Sequence, residues 1–171
     1  NAMRILWITN APIGDACTAL GFPASQSGSW VEAAAAKLIE DENIILGIAT
    51  TAQITHPISK EYGGIKYYCI SGGKAHRGKR APKVNKVKWK TVIDEFQPDL
   101  TRIWGTEFTD GLDVMEVSPS PVEIRLQGII RAIDKYPNGY LTLGEMQKGQ
   151  PWYMKLTMAV KYIKDTKGFK K

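Results

Sequence analysis

Short, nearly unbroken apolar runs alternate along this chain with longer amphipathic stretches. Met3 to Thr9 (MRILWIT) stops at Asn10 and predicts a buried first strand. A loop containing Gly14, Gly21, Pro23 and Gly28 follows. Ser29, with Glu32 three residues on, has the form of a capping box opening a helix whose Val31, Ala34, Ala35 and Leu38 share one face. Ile44 to Ala49 and Ile65 to Ile70 predict the second and third strands. Residues 71 to 83 are glycine-rich and basic. The helix after them carries Trp89, Val92, Ile93 and Phe96 on one side and is stopped by Pro98. Leu100 to Trp104 is the fourth strand. A short helix around Leu112 to Met115 and the turn SPSP lead to a fifth strand, Val122 to Leu126. The remainder is expected to be mainly helical, with Trp152, Leu156, Ala159, Val160 and Ile163 forming an apolar stripe.

Strands that are apolar throughout and alternate with helices imply an α/β fold, a Rossmann-like parallel sheet flanked by helices on both faces. Right-handed crossovers in such a sheet leave a crevice at the carboxyl ends of the strands, where ligands bind. The stretch Trp104-Gly105-Thr106-Glu107 falls at one of those ends.

Composition narrows the class. A chain of 171 residues, 43% of them apolar, suffices for one domain with its own core. No apolar run approaches the length that crosses a bilayer and no basic-then-apolar leader is visible, so a cytoplasmic protein is expected. Asn1-Ala2 reads as an expression-tag remnant ahead of a natural start at Met3. Cys17 and Cys69, with His56 and His76, are too few and too scattered for a metal-site pattern. The net charge of +6 favours phosphate-bearing or anionic partners.

Candidate chemistry concentrates in three places. The backbone near Gly28 and Ser29, at a helix N-terminus, is suited to an anion such as a phosphate. No G-x-G-x-x-G is present, which argues against a nicotinamide or flavin dinucleotide. Gly105 permits close backbone approach at a strand end, with Thr106 and Glu107 as hydrogen-bonding groups, and Gln127-Gly128 repeats that arrangement after the fifth strand. Gly73 to Arg80 nearly fits the phosphate-loop pattern, but Arg80 replaces the required hydroxyl and Pro82 follows, so a basic loop is the better reading.

Lys74, Arg77, Lys79, Arg80 and Lys83, continued by Lys86, Lys88 and Lys90, form a patch in a stretch free of acidic residues. It fits a solvated face, an acidic substrate or an anionic surface. Without interleaved aromatics or a recognisable module, no nucleic-acid partner is expected. Glu32 and Glu40 have E-x7-E spacing but read as structural, one a cap and one a helix end. Trp30 and Trp104 fit either the core or an apolar wall for a sugar ring.

In order, MRILWITNAP, SGSWVEAAAAKL, DEFQPDLTRIWGTE and VEIRLQGIIR resemble the amino-terminal half of GT-B glycosyltransferases of the glycosyltransferase 4-like group. The resemblance runs from Met3 to about Gly139 and is most specific in F-x-P-D-(apolar)-x-x-(apolar)-W-G-T-E and the later Q-G. It implies two Rossmann-like domains facing a cleft, the amino-terminal one holding the acceptor and the other the nucleotide-sugar donor. Residues 3–150 would be the acceptor domain, and 151–171 a helix leading to the donor domain. The chain would then be inactive alone.

The implied activity is sugar transfer, retaining in outcome, from a nucleotide sugar to a carbohydrate or lipid-linked acceptor, as in polysaccharide biosynthesis, with no metal or cofactor. Gly28 and Ser29 would face the donor phosphates, and Gly105, Thr106, Glu107, Gln127 and Gly128 the acceptor. Gln127 and Trp104 stand where many members have a histidine, so no catalytic residue is assigned. The resemblance also implies peripheral contact with the anionic inner membrane face, suited to the lysines of 74–90 and 161–171. A dimer through the last helix is a further expectation. The alternative is a stand-alone, non-catalytic Rossmann-like module that binds a carbohydrate or nucleotide.

Overall fold

The computed structural model describes residues 2–23, 28–72, 83–105, 110–126 and 142–168. In chain order the elements are β1 (Met3–Thr9), α1 (Asp15–Leu20), α2 (Ser29–Leu38), β2 (Ile44–Ala52), β3 (Ile58–Tyr62) and β4 (Ile65–Ser71). Then come α3 (Lys83–Phe96), β5 (Leu100–Trp104), α4 (Asp110–Val117), β6 (Val122–Arg125), α5 (Leu143–Gln147) and α6 (Trp152–Gly168). They fall into two compact units, residues 1–127 and 128–171.

The first unit is built on a six-stranded sheet of order β3-β4-β2-β1-β5-β6. Every neighbouring pair is parallel except β3 with β4. This is the expected Rossmann-like α/β architecture, and the mainly apolar runs of β1, β2 and β4, buried over most of their length, are its cause. Successive residues of β1 serve opposite faces: Ile5 and Trp7 join α1 and α2 in one core, Leu6 and Ile8 join α3 and α4 in the other. On the first face Val31 and Ala35 of α2 and Ala16 and Leu20 of α1 pack on Leu46, Ile48 and Tyr67. On the second, Trp89, Val92, Ile93 and Phe96 of α3 cover Ala49, Tyr68 and Ile70. Phe96 lies so close over β2 that a Cβ on Gly47 would come within 2.7 Å of its ring. Helix α3 ends as its sequence demands: Gln97 turns left-handed at φ +50°, and Pro98 prevents continuation.

Four elements depart from the expectations. Ser29 is the first helical residue rather than the cap; Gly28 caps α2 in a left-handed conformation, and no side chain caps it. The cap stands one residue earlier, at Gly28, whose φ of +85° a glycine adopts without strain. The Glu32 carboxylate instead lies against Gly14, where an added Cβ would sit 2.6 Å from its Cδ. A complete capping box occurs elsewhere, at α5: Thr142 Oγ1 accepts from the Glu145 amide at 3.3 Å, and the Thr142 amide donates to Glu145 Oε2 at 2.7 Å. Helix α1 occupies part of the expected loop. Strand β3, also unforeseen, turns into β4 through Gly63-Gly64, both at positive φ, a two-residue hairpin connection.

Candidate functional site

From β1 the chain proceeds through α1 and α2 to β2 on one side, whereas α3 carries it to β5 on the other. The strand order therefore reverses between β1 and β5, the position at which sheets of this kind open a ligand crevice beyond the carboxyl ends of the strands. The residues that border it follow from what ends those two strands.

After β1 the chain turns at once: buried Thr9 donates from Oγ1 to the Ala11 carbonyl at 3.2 Å. Ile13 then meets the start of α2, since a Cβ on Gly28 would lie 2.8 Å from its side chain. Gly28 is buried with φ +85°, and its carbonyl accepts from the Val31 and Glu32 amides at 2.9 and 3.2 Å. Ser29 and Trp30 are exposed beside it, Trp30 at 56%. The positive end of α2 thus abuts the β1 loop without a side-chain cap, a disposition that favours an anion.

After β5, Gly105 takes φ +90° and is buried. Its amide donates to the Arg125 carbonyl at 3.0 Å, which draws the ends of β5 and β6 together. Chain positions just ahead of Thr106 and of Gln127 are therefore neighbours. Trp104 is core: it packs edge to face on Trp7, ring centroids 5.0 Å apart. Trp30, by contrast, is a surface aromatic.

Of the predicted site residues, Gly28 and Ser29 stand at the start of α2 and Gly105 directly after β5. Thr106, Glu107, Gln127, Gly128, Lys74, Arg77, Lys79 and Arg80 lie outside the described residues, and Lys83 is the first residue of α3. The rest of the basic run has fixed partners. Lys86 pairs with Glu116, and Lys90 with Asp94 at 2.7 Å. Lys88 Nζ donates to the Ser71 carbonyl and hydroxyl at 2.7 and 2.6 Å, tying α3 to the end of β4.

A buried polar cluster went unforeseen. Asp110 opens α4, and its Oδ1 accepts from Trp89 Nε1 and Asn85 Nδ2, both at 3.5 Å. Burial pushes its carboxyl above the ordinary range, and these long hydrogen bonds offset the shift only in part. The sequence signal was Asp110 itself, four residues after Thr106 at a helix start, which reads as an ordinary N-terminal acid. Asp113, one turn later, is equally buried.

A second groove, of about 150 Å³, lies between β3, β4 and α3, lined by Pro57, Ile58, Tyr68, Ile70, Lys88 and Glu95. Its ionic groups are already engaged, Glu95 with Lys66 at 2.9 Å and Tyr68 Oη at 3.2 Å. Cys69, fully buried, has its thiol pushed up to about 11 by desolvation, which makes it a poor nucleophile.

Among the described residues no group of three or more His, Cys, Asp or Glu is placed to hold a metal ion. No helix among them is long and apolar enough to cross a membrane. No protein-family model matches the chain, and no curated protein sequence matches it.

Proposed function

We propose that residues 3–150 are the acceptor-side domain of a GT-B-type glycosyltransferase, working against a second domain that binds the nucleotide sugar. The observation that carries this reading is the reversal of strand order between β1 and β5, with an uncapped helix N-terminus at Gly28-Ser29 after β1 and a glycine at φ +90° closing β5. An anion-favouring helix end and a hydroxyl-binding rim on one crevice are what a sugar phosphate and a sugar acceptor need. The order of motifs along the sequence supports the same assignment.

In this reading Gly28 and Ser29 approach the donor diphosphate, while Thr106, Glu107, Gln127 and Gly128 hold acceptor hydroxyls and Gly105 gives them room. Sugar transfer then depends on positioning two substrates and on stabilising charge on the leaving diphosphate. No side chain is assigned as general base.

Hydrolysis and transfer with a panel of nucleotide sugars, on this chain and on the longest product of its gene, test the proposal. Activity confined to the longer product is expected. Transfer by this chain alone would overturn the division into acceptor and donor domains. Sugar or nucleotide binding with no transfer by either protein would favour a non-catalytic module.

A further inference from the structure

A pocket of about 60 Å³ lies between α2, the start of α1 and strands β2 and β4. Its wall is apolar, with Ile13, Val31 and Ile48 prominent in it, and its polar side chains are Asp15, Glu32 and Tyr67. Tyr67 is only 2% exposed. Among the described residues its hydroxyl has no hydrogen-bond partner, and the side chains of Asp15 and Glu32 have neither a hydrogen bond nor an ion pair. A buried hydroxyl left unpaired costs stability, so its place facing a pocket calls for an account of what it meets. Gly14 makes room for the arrangement, since a Cβ there would come within 2.6 Å of Glu32 Cδ. Burial, and after it the negative charges of Asp15 and Glu32, push the Tyr67 hydroxyl well above the ordinary tyrosine range. The polar end of the pocket is therefore two carboxylates beside a neutral phenol.

Oxygen acceptors at one end of an apolar wall suit a cation that carries carbon. A primary ammonium has three N–H donors and no acceptor, one donor for each of the three side chains. Calcium and magnesium take roughly six or more oxygens, which an apolar wall does not supply. Water would satisfy the Tyr67 hydroxyl but leave both carboxylates without a counter-charge. The volume equals about two water molecules, enough for an ammonium head with its first carbons and too little for a sugar ring.

We propose that this pocket binds the ammonium head of a primary alkyl amine, which donates to Asp15, Glu32 and Tyr67 Oη while its first carbons lie against Ile13, Val31 and Ile48. The inference stands independently of sugar transfer. Its test is an amide NMR titration of the full chain with n-propylammonium chloride, against tetramethylammonium chloride at equal ionic strength. Saturable shifts at Val31, Ile48 and Tyr67 with propylammonium, absent with the control salt, are expected. Glu32→Gln, at an exposed position and of nearly the same shape, should weaken binding about tenfold or more. Tyr67→Phe keeps the ring in the core and removes only the unpaired hydroxyl. It should also bind more weakly, while its urea midpoint stays level or rises. Acetyl-lysine methylamide brings the same head on a peptide backbone; tighter binding than propylammonium would assign the pocket to a lysine side chain, weaker binding to a free amine. Three results would overturn the proposal: no saturable shift with propylammonium, equal shifts with tetramethylammonium, or an affinity unchanged in both Glu32→Gln and Tyr67→Phe.

Discussion

Trp104 meets Trp7 edge to face, their ring planes at 64°, so the last residue of β5 anchors the core at the strand's carboxyl end. Arg102 and Arg125 add their guanidinium groups over the two indoles, each 5.8 Å from a ring centroid. Trp104→Ala is expected to lose about 3–5 kcal/mol, the range for emptying a buried aromatic site. Trp104→Phe should lose clearly less, because edge-to-face contact survives. Urea denaturation of the two variants checks this, and near-wild-type stability of Trp104→Ala would remove Trp104 from the core.

Capping provides a sharper contrast between neighbours. Gly28 is left-handed and pressed on Ile13, so Gly28→Ala should cost at least about 1–2 kcal/mol in backbone strain alone. Ser29 makes no side-chain cap, and Ser29→Ala should stay within about 0.5 kcal/mol of wild type. A loss near 1 kcal/mol for Ser29→Ala, the usual cost of removing a serine cap, would contradict the observed helix start.

Gly47 is a strand glycine kept for space. With the Phe96 ring 2.7 Å from where a Cβ would stand, Gly47→Ala should destabilise by about 1–3 kcal/mol through overpacking. The double variant Gly47→Ala/Phe96→Leu should cost less than the sum of the two single changes, measurable as a coupling in a denaturation cycle.

Much of this architecture was readable in the chain. β1 is a continuous apolar run, α3 a clear helical stripe and β5 a short strand between Pro98 and Gly105, and each falls where its pattern places it. The elements that escaped notice have weaker local signatures. β3 (ISKEY) is an exposed edge strand with charge on it, so no buried face marks its period; the Gly63-Gly64 pair that turns it into β4 was the available clue. α1 has six residues and a glycine at its start, which resembles a loop. The Ser29/Glu32 and Thr142/Glu145 pairs have the same spacing, and only the backbone approaching each decides which becomes a box. Lys86, Lys88 and Lys90 read as one positive patch, yet each reaches an acceptor on a segment remote in sequence or one turn away. The carboxyl end of β5 was legible as a strand end, because Gly105 follows its last buried residue, Trp104. Asp110 was not, because its burial depends on Trp89 and Asn85 of another helix.

Asp110 makes a pH-dependent prediction. Its carboxyl is raised in the folded state above the ordinary 3.8, so ionising it there works against folding. That penalty is fully present above the raised folded value. It shrinks as pH falls through the folded value and vanishes below the unfolded one. Asp110→Asn, which retains an acceptor for Trp89 and Asn85, should therefore be stabilising at neutral pH, with the gain fading as pH is lowered toward 3.8. Urea denaturation of both proteins across that range checks it; a variant destabilised at neutral pH, with the loss fading as pH falls, would show that Asp110 is held as a charge.

The most direct test of the acceptor-side reading is acceptor saturation with Glu107→Gln or Thr106→Ala carried by the longest product of the gene. With hydrogen bonds to acceptor hydroxyls weakened or removed, the acceptor KM is expected to rise about tenfold, the equivalent of 1.4 kcal/mol, while the donor KM stays within about twofold. Acceptor saturation and turnover unchanged in both variants would contradict the placement of the acceptor at the end of β5.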